Sequence, residues 1–189
     1  MIVILMTMVA QASDVQLRSE VPRPLAGHAV FDLRVGMDLG NPSDGAPLPV
    51  VCAEGMPHRR WSIEACGNGF GILHQGDDPD MAHFRVRGAP LVMTDGRWMG
   101  QLMVGVGFAE VQRSADQPGF RFGDAQTGQV EAAGPEASLG VKGRFWVTDK
   151  SHIAMDLVAG AAYIPGAPVV MDWQSPMVPF ASLTTGMGF

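Results

Sequence analysis

The sequence is short of charge, of tyrosine, of cysteine and of long apolar runs. Charged residues make up only 17% of the 189 positions against 47% hydrophobic ones, a balance that excludes a disordered chain. The net charge of −6 leaves no basic surplus for nucleic acid, which is not expected as a partner. No stretch reaches the roughly 18 consecutive apolar residues of a membrane-spanning helix. A chain like this enters a membrane only as a closed barrel, because an open sheet would leave backbone groups unpaired in lipid. The two cysteines, Cys52 and Cys66, are too few for a disulfide scaffold, and the length fits one domain.

Glycine and proline are plentiful, at 24 and 14 residues, and point to turns and strands rather than long helices. Alternation of apolar and polar residues recurs in segment after segment. From His28, Phe31, Leu33, Val35 and Met37 share one face and Asp32, Arg34 and Asp38 the other. From Arg97, Trp98, Leu102, Val104, Val106 and Phe108 alternate with Gln101, Met103, Gly105 and Gly107. From Glu136, Leu139, Val141 and Phe145 oppose Ser138, Lys142 and Arg144. From Ser151, Ile153, Met155, Leu157 and Tyr163 oppose His152 and Asp156. In Met81–Thr94, Phe84, Val86 and Val92 are set against His83, Arg85 and Arg87. Trp61, Ile63 and Ala65 begin a further strand whose alternation blurs after Gly67, where a bulge or kink is expected. The last strand, Phe180 to Phe189, carries Leu183, Thr185 and Met187 on the face of Phe189.

These are seven strands, and the direction of travel requires an eighth, since bacterial barrels are even-numbered. Ala46 to Gly55 supplies it, with Asn41–Gly45 as an external turn. The expected fold is all-β, an eight-stranded antiparallel up-and-down transmembrane barrel over residues 28–189. Thr148–Ser151 and Thr94–Gly96 are then short periplasmic turns, and residues 113–135 a long external loop suited to an external ligand or receptor. Residues 1–12 read as a signal peptide, with an apolar stretch from Ile2 to Val9 and the small-x-small site Ala10-Gln11-Ala12. Residues 13–27 form a periplasmic leader.

Alternation alone does not say which face is inside; a soluble lipocalin-like barrel binding an apolar ligand has its apolar face inward. Trp98 and Phe108 share a face ten residues apart, the span of a tilted transmembrane strand, and fit two interfacial aromatic girdles. The polar face carries Asp32, Arg34, Asp38, Glu64, Arg85, Arg87, Glu136, Lys142, Arg144 and Asp156, both signs in near balance, as a narrow side-chain-filled lumen requires. The terminal strand resembles the C-terminal assembly signal of Gram-negative outer-membrane proteins, with Phe189 last, Met187 and Leu183 outward and Gly186 inward. That resemblance implies an outer-membrane location in a Gram-negative bacterium, with outer-membrane lipid and the barrel assembly machinery as partners. In architecture the whole is similar to the eight-stranded OmpA/OmpX/OmpW-like class.

Three constellations carry candidate chemistry. His74 and His83 flank the turn that holds Asp77, Asp78 and Asp80, a set of the type that binds zinc or calcium. Cys52 and Cys66 fall opposite each other if a turn is centred near Arg59, either as a cross-strand disulfide or as two buried thiols. Ser138, Ser182 and the pair Ser151-His152 are the raw material for a lipid-modifying enzyme, but adjacent strand residues point to opposite faces. The leading expectation is a structural or surface-interacting barrel without a catalytic residue or cofactor; the soluble carrier and the lipid-modifying enzyme are the alternatives.

Overall fold

A computed structural model describes residues 30–39, 47–68, 79–113, 120–123, 128–171 and 173–189. The signal peptide, the leader, the turn at 41–45, and His74, Asp77 and Asp78 lie outside these residues. Eight strands follow one another: β1 (Val30–Asp38), β2 (Pro49–His58), β3 (Trp61–Gly67), β4 (Asp80–Asp95), β5 (Trp98–Gln112), β6 (Glu131–Trp146), β7 (His152–Tyr163) and β8 (Met177–Gly188). Each pairs antiparallel with the next, and β8 returns to β1, closing an up-and-down barrel. One short helix, α1 (Ala167–Val170), interrupts the connection between β7 and β8.

The period of two in the sequence becomes the two faces of the wall. On β7, Leu157 is 50% exposed while its neighbour Asp156 is 1% exposed. The same polarity holds for Leu33 and Arg34 on β1 and for Val141 and Lys142 on β6. The apolar face is therefore outside and the charges are inside. One end carries the tight connections His58–Trp61, Asp95–Trp98 and Val147–Ser151; the other carries the longer ones. Gly96, at φ 56°, takes the left-handed conformation that the tight β4–β5 turn demands.

Several bounds and one phase differ from the sequence reading; β8, for one, begins at Met177 rather than Phe180. Strand β2 runs from Pro49 rather than Ala46 and continues to His58, with a register shift against β3 between Gly55 and His58. Strand β3 is described to Gly67, Asn68 donates its side-chain amide to the Pro49 carbonyl, and the segment beyond, where the bulge or kink is expected, lies outside the described residues. In β4 a shift between Gly88 and Leu91 changes the phase. Leu91 and Met93 consequently face out, and Val92 pairs with luminal Gln101 rather than sharing the face of Phe84 and Val86.

Strand β6 starts at Glu131, five residues before the expected Glu136, so the external loop shortens to 113–130. Gly134 and Pro135 look like loop residues in isolation. Pro135 is tolerated because it lies just beyond the last β6–β7 pair, Glu136 with Ala162, where that edge needs no donor.

Candidate functional site

The lumen is filled in three storeys. Beside the tight turns, Asp32 on β1 accepts from Arg144 Nη2 at 2.7 Å and pairs with His152 Nε2 at 2.7 Å. Arg144 also donates to Gln101, and the Trp146 ring lies 5.2 Å from that of His152. Gly188 is required here, since a side chain would run into the His152 ring and the Asp32 carboxylate.

The middle storey joins six strands. Arg34 on β1 binds Glu54, Glu64 and Asp156. Arg87 on β4 reaches Glu64 at 2.7 Å and Asp156 at 2.5 Å. Lys142 on β6 binds Glu54 and approaches Asp32 at 3.4 Å and Asp156 at 3.6 Å. All of these side chains are 0–1% exposed. Gly105 gives the arginines room: a side chain there would lie 3.3 Å from Arg87 Cγ and 3.4 Å from Arg85 Cδ.

Above this, Arg85 Nε lies 2.8 Å from Glu64 and 3.6 Å from Glu136, and His83 Nδ1 is 2.6 Å from Glu136. The Phe180 ring covers the group, 4.3 Å from the His83 ring and 5.3 Å from the Arg85 guanidinium. Beyond Phe180 the contents turn apolar. Met81, Val111, Ile164, Val170, Met171 and Val178 form a dry cluster, and α1 folds into it through Ala167 and Val170. The loop end of the barrel is thus stoppered by its own β7–β8 connection.

The ten luminal residues named from the sequence are all buried, and nine of them sit in the contacts just described. Asp38 stands apart, buried near the loop end of β1. The sequence reading set Gln101 and His152 on the polar face without counting them in the ionic network, and did not name Glu54; all three are buried in the lumen. It also left out the apolar stopper, whose signal was the run Ile164 to Met171 between two strands. Cys52 and Cys66 lie opposite each other in the β2–β3 register and are bonded, with their Cα atoms 4.1 Å apart.

Of the metal grouping expected around the turn before β4, only Asp80 and His83 lie among the described residues, and these two do not face each other. Asp80 and His83 are three residues apart on one strand and face opposite sides of the wall. His83 points into the lumen at Glu136, while Asp80 shares the outward phase of Phe84. Among the described residues, Glu54, Glu64 and Asp156 come close enough together to share an ion, but Arg34, Arg87 and Lys142 already occupy the space between them.

Outside, aromatic residues mark two levels. Trp98 packs on Phe145 at 4.8 Å near the tight turns, and Trp61 lies over Gly88 at the same end. Near the loop end Phe84 stacks on Phe108 at 5.2 Å, and Phe120 meets both edge-on. Leu33, Val104, Val106, Val141 and Leu157 fill the band between, each at least 41% exposed.

A closed eight-stranded antiparallel wall, apolar outside and ionic within, is the architecture of the small outer-membrane barrels. The fold is shared with Neisserial surface protein A (NspA), at a TM-score of 0.54 and 8% identity over 85% of this chain and 94% of that one. Two more distant likenesses are outer membrane protein OprG from Pseudomonas aeruginosa and Ail, the attachment invasion locus protein of Yersinia pestis. OprG gives a TM-score of 0.46 with 15% identity over 86% of this chain and 95% of its own. Ail gives 0.34 with 13% identity over 85% and 96%. No protein-family profile and no curated protein sequence matches the chain.

Proposed function

We propose that this protein is an integral outer-membrane barrel of a Gram-negative bacterium, with a structural or surface-interaction role. The observation that carries the reading is polarity: the wall turns Leu33, Val104, Val141 and Leu157 outward and Arg34, Arg87, Lys142 and Asp156 inward. An apolar belt that runs around a whole barrel would drive association in water and is at home in hydrocarbon. Trp98 and Phe108 bound that belt as interfacial girdles.

A soluble carrier of apolar ligands needs an apolar interior reachable from outside. Here the interior is occupied by ion pairs, and the stopper of Ile164, Val170 and Phe180 covers one end. Lipid-modifying chemistry would need a serine activated by a histidine. Among the described residues, His83 and His152 engage Glu136 and Asp32, and no hydrogen bond joins either ring to a serine. The remaining interaction surface is the loop end, above all residues 113–130.

Fractionation of the native cell envelope tests the reading. The chain is expected in the outer-membrane fraction and, unboiled in dodecyl sulfate, to migrate differently from the boiled sample. A chain recovered in the detergent-free soluble fraction would overturn it.

A further inference from the structure

Two carboxylates on the outer face are not explained by the barrel's architecture. Glu110 shares the outward phase of Val106 and Phe108 on β5, opposite Ala133. Glu131 begins β6 opposite Gln112, so the two glutamates are diagonal neighbours on one face. Outward charges at a strand end ordinarily stand in solvent, yet Glu110 is 9% exposed and Glu131 only 2%.

The cover is the returning segment 120–123. Phe120 and Phe122 pack on Phe108 at 5.1 and 5.8 Å, and the Arg121 carbonyl accepts from the Ala133 amide. Under this strap, Glu110 Oε1 and Glu131 Oε2 are buried without a hydrogen-bond donor. Arg121 Nε satisfies the other oxygen, Glu131 Oε1, at 2.9 Å. Burial and the neighbouring Glu131 push the Glu110 carboxyl up to about 7.

We propose that Glu110 and Glu131 form a divalent-cation site on the outer face of the barrel, of the hard, oxygen-ligand class that suits Ca²⁺ or Mg²⁺. Two adjacent carboxylate oxygens with no donor are what such an ion replaces, and buried like charges otherwise repel. Asp80, level with Gln112 on β4, lies on the same face but accepts from the Met81 amide and is not close enough to both glutamates to share their ion. Among the described residues, the charged groups on the neighbouring elements are Asp80 on β4, Arg113 just after β5 and Arg121 on the strap. The half-exposed Arg121 covers only one side of Glu131, leaving the site net acidic. The bound ion would pin the strap to β5 and β6. Its level, just above the Phe84–Phe108 girdle, is that of anionic lipid headgroups if the membrane reading holds; the site itself does not depend on that reading.

Calorimetric titration of CaCl₂ into chelator-treated, folded protein in nonionic micelles tests the proposal. One saturable site per chain is expected, with an affinity in the 10⁻⁴–10⁻³ M range of extracellular calcium modules. Glu110→Gln and Glu131→Gln should each weaken binding at least tenfold while keeping the heat-modifiable band. If either variant does not fold, the wild type decides: calcium should slow amide exchange at Ala133, whose N–H donates to the Arg121 carbonyl of the strap. No saturable calcium binding to the folded wild type, unaltered affinity in folded Glu110→Gln, or exchange at Ala133 unchanged by calcium would overturn the assignment. A folded barrel that fails to bind leaves the membrane reading intact, and a soluble chain that binds leaves the cation site intact.

Discussion

Arg87 on β4 and Asp156 on β7 meet across the centre of the barrel, with Arg87 Nη1 2.5 Å from Oδ2 and Nη2 3.1 Å from Oδ1. The pair is bidentate, which holds the guanidinium plane as well as its charge. It ties together strands that are not neighbours in the wall and that the sheet hydrogen bonds do not join. Glu64 on β3 accepts from the same Nη1 at 2.7 Å, so one arginine spans three strands.

Removing that arginine takes one cation from a buried cluster in which Arg34 still bridges Glu64 and Asp156, and leaves the buried acids in excess. Arg87→Met is expected to cost about 3–5 kcal/mol, the usual penalty for stranding a buried charge. Adding Asp156→Leu should recover part of the loss, because the second change removes a stranded anion. Denaturant unfolding in micelles, run as a double-mutant cycle, checks both statements; a simple sum of the single effects would contradict them.

The outer face answers to a different solvent. Leu157 lies midway along β7 and is 50% exposed. In a bilayer, Leu157→Arg should cost about 2–4 kcal/mol, as arginine does at the midplane of a barrel. On a surface bathed by water the same change would fall within about 0.5 kcal/mol. Unfolding from lipid vesicles measures which value applies.

The two faces were legible in the sequence because a strand's period of two is rigid over eight or more residues. Leu139, Val141 and Phe145 needed no tertiary information to be set against Lys142 and Arg144. The boundaries were less legible where tertiary context overrode local preference. Pro135 reads as a loop residue until β7 is seen to have ended beside it. Val92 changed sides because a bulge adds a residue without any composition of its own. Glu54 escaped the luminal set because the prolines Pro47 and Pro49 obscured the phase of β2. The Glu110–Glu131 pair was beyond reach, since its burial depends on a strap that returns from a loop.

The disulfide closes a hairpin whose ends are already paired. Cys52 and Cys66 are 14 residues apart in the chain, and closing a loop of this size stabilises by roughly 3 kcal/mol in the chain-entropy account. Cys52→Ser with Cys66→Ser should lower stability by about 2–3 kcal/mol without altering the unboiled migration of the barrel. A reductant should lower the unfolding midpoint of the wild type and leave that of the double variant unchanged.

Strand β8 seals the barrel through both of its edges, pairing with β7 and β1. Phe189 follows it, with its amide donating to the Phe31 carbonyl at 3.0 Å and its carbonyl accepting from the Phe31 amide at 3.1 Å. Phe189→Ala keeps those backbone bonds, so the finished barrel should lose little stability. Its expected defect is in delivery: less folded protein in the outer-membrane fraction, with normal refolding of the purified chain in micelles. Equal losses in both assays would make the residue merely structural.

Glu110 gives the loop end a pH dependence of calculable sign. Its carboxyl is raised from 4.5 to about 7 in the folded chain, with burial the larger cause and Glu131 the second. The native state therefore holds the proton more tightly than the unfolded one, and stability falls with rising pH wherever the native state binds more protons. The contribution is complete below about pH 4.5 and is lost as the pH climbs through about 7. Without divalent ions, raising the pH from 5 to 8 should loosen the 120–123 strap by on the order of 1–3 kcal/mol. Amide hydrogen exchange at Ala133, whose N–H donates to the Arg121 carbonyl at 2.7 Å, reports that opening directly. Glu110→Gln carries no ionisable group at the position and should exchange with a flat pH profile once the intrinsic rate is removed. Calcium added at pH 8 should restore protection in the wild type and leave Glu110→Gln unaffected, because a neutral amide gives the ion no charge to hold.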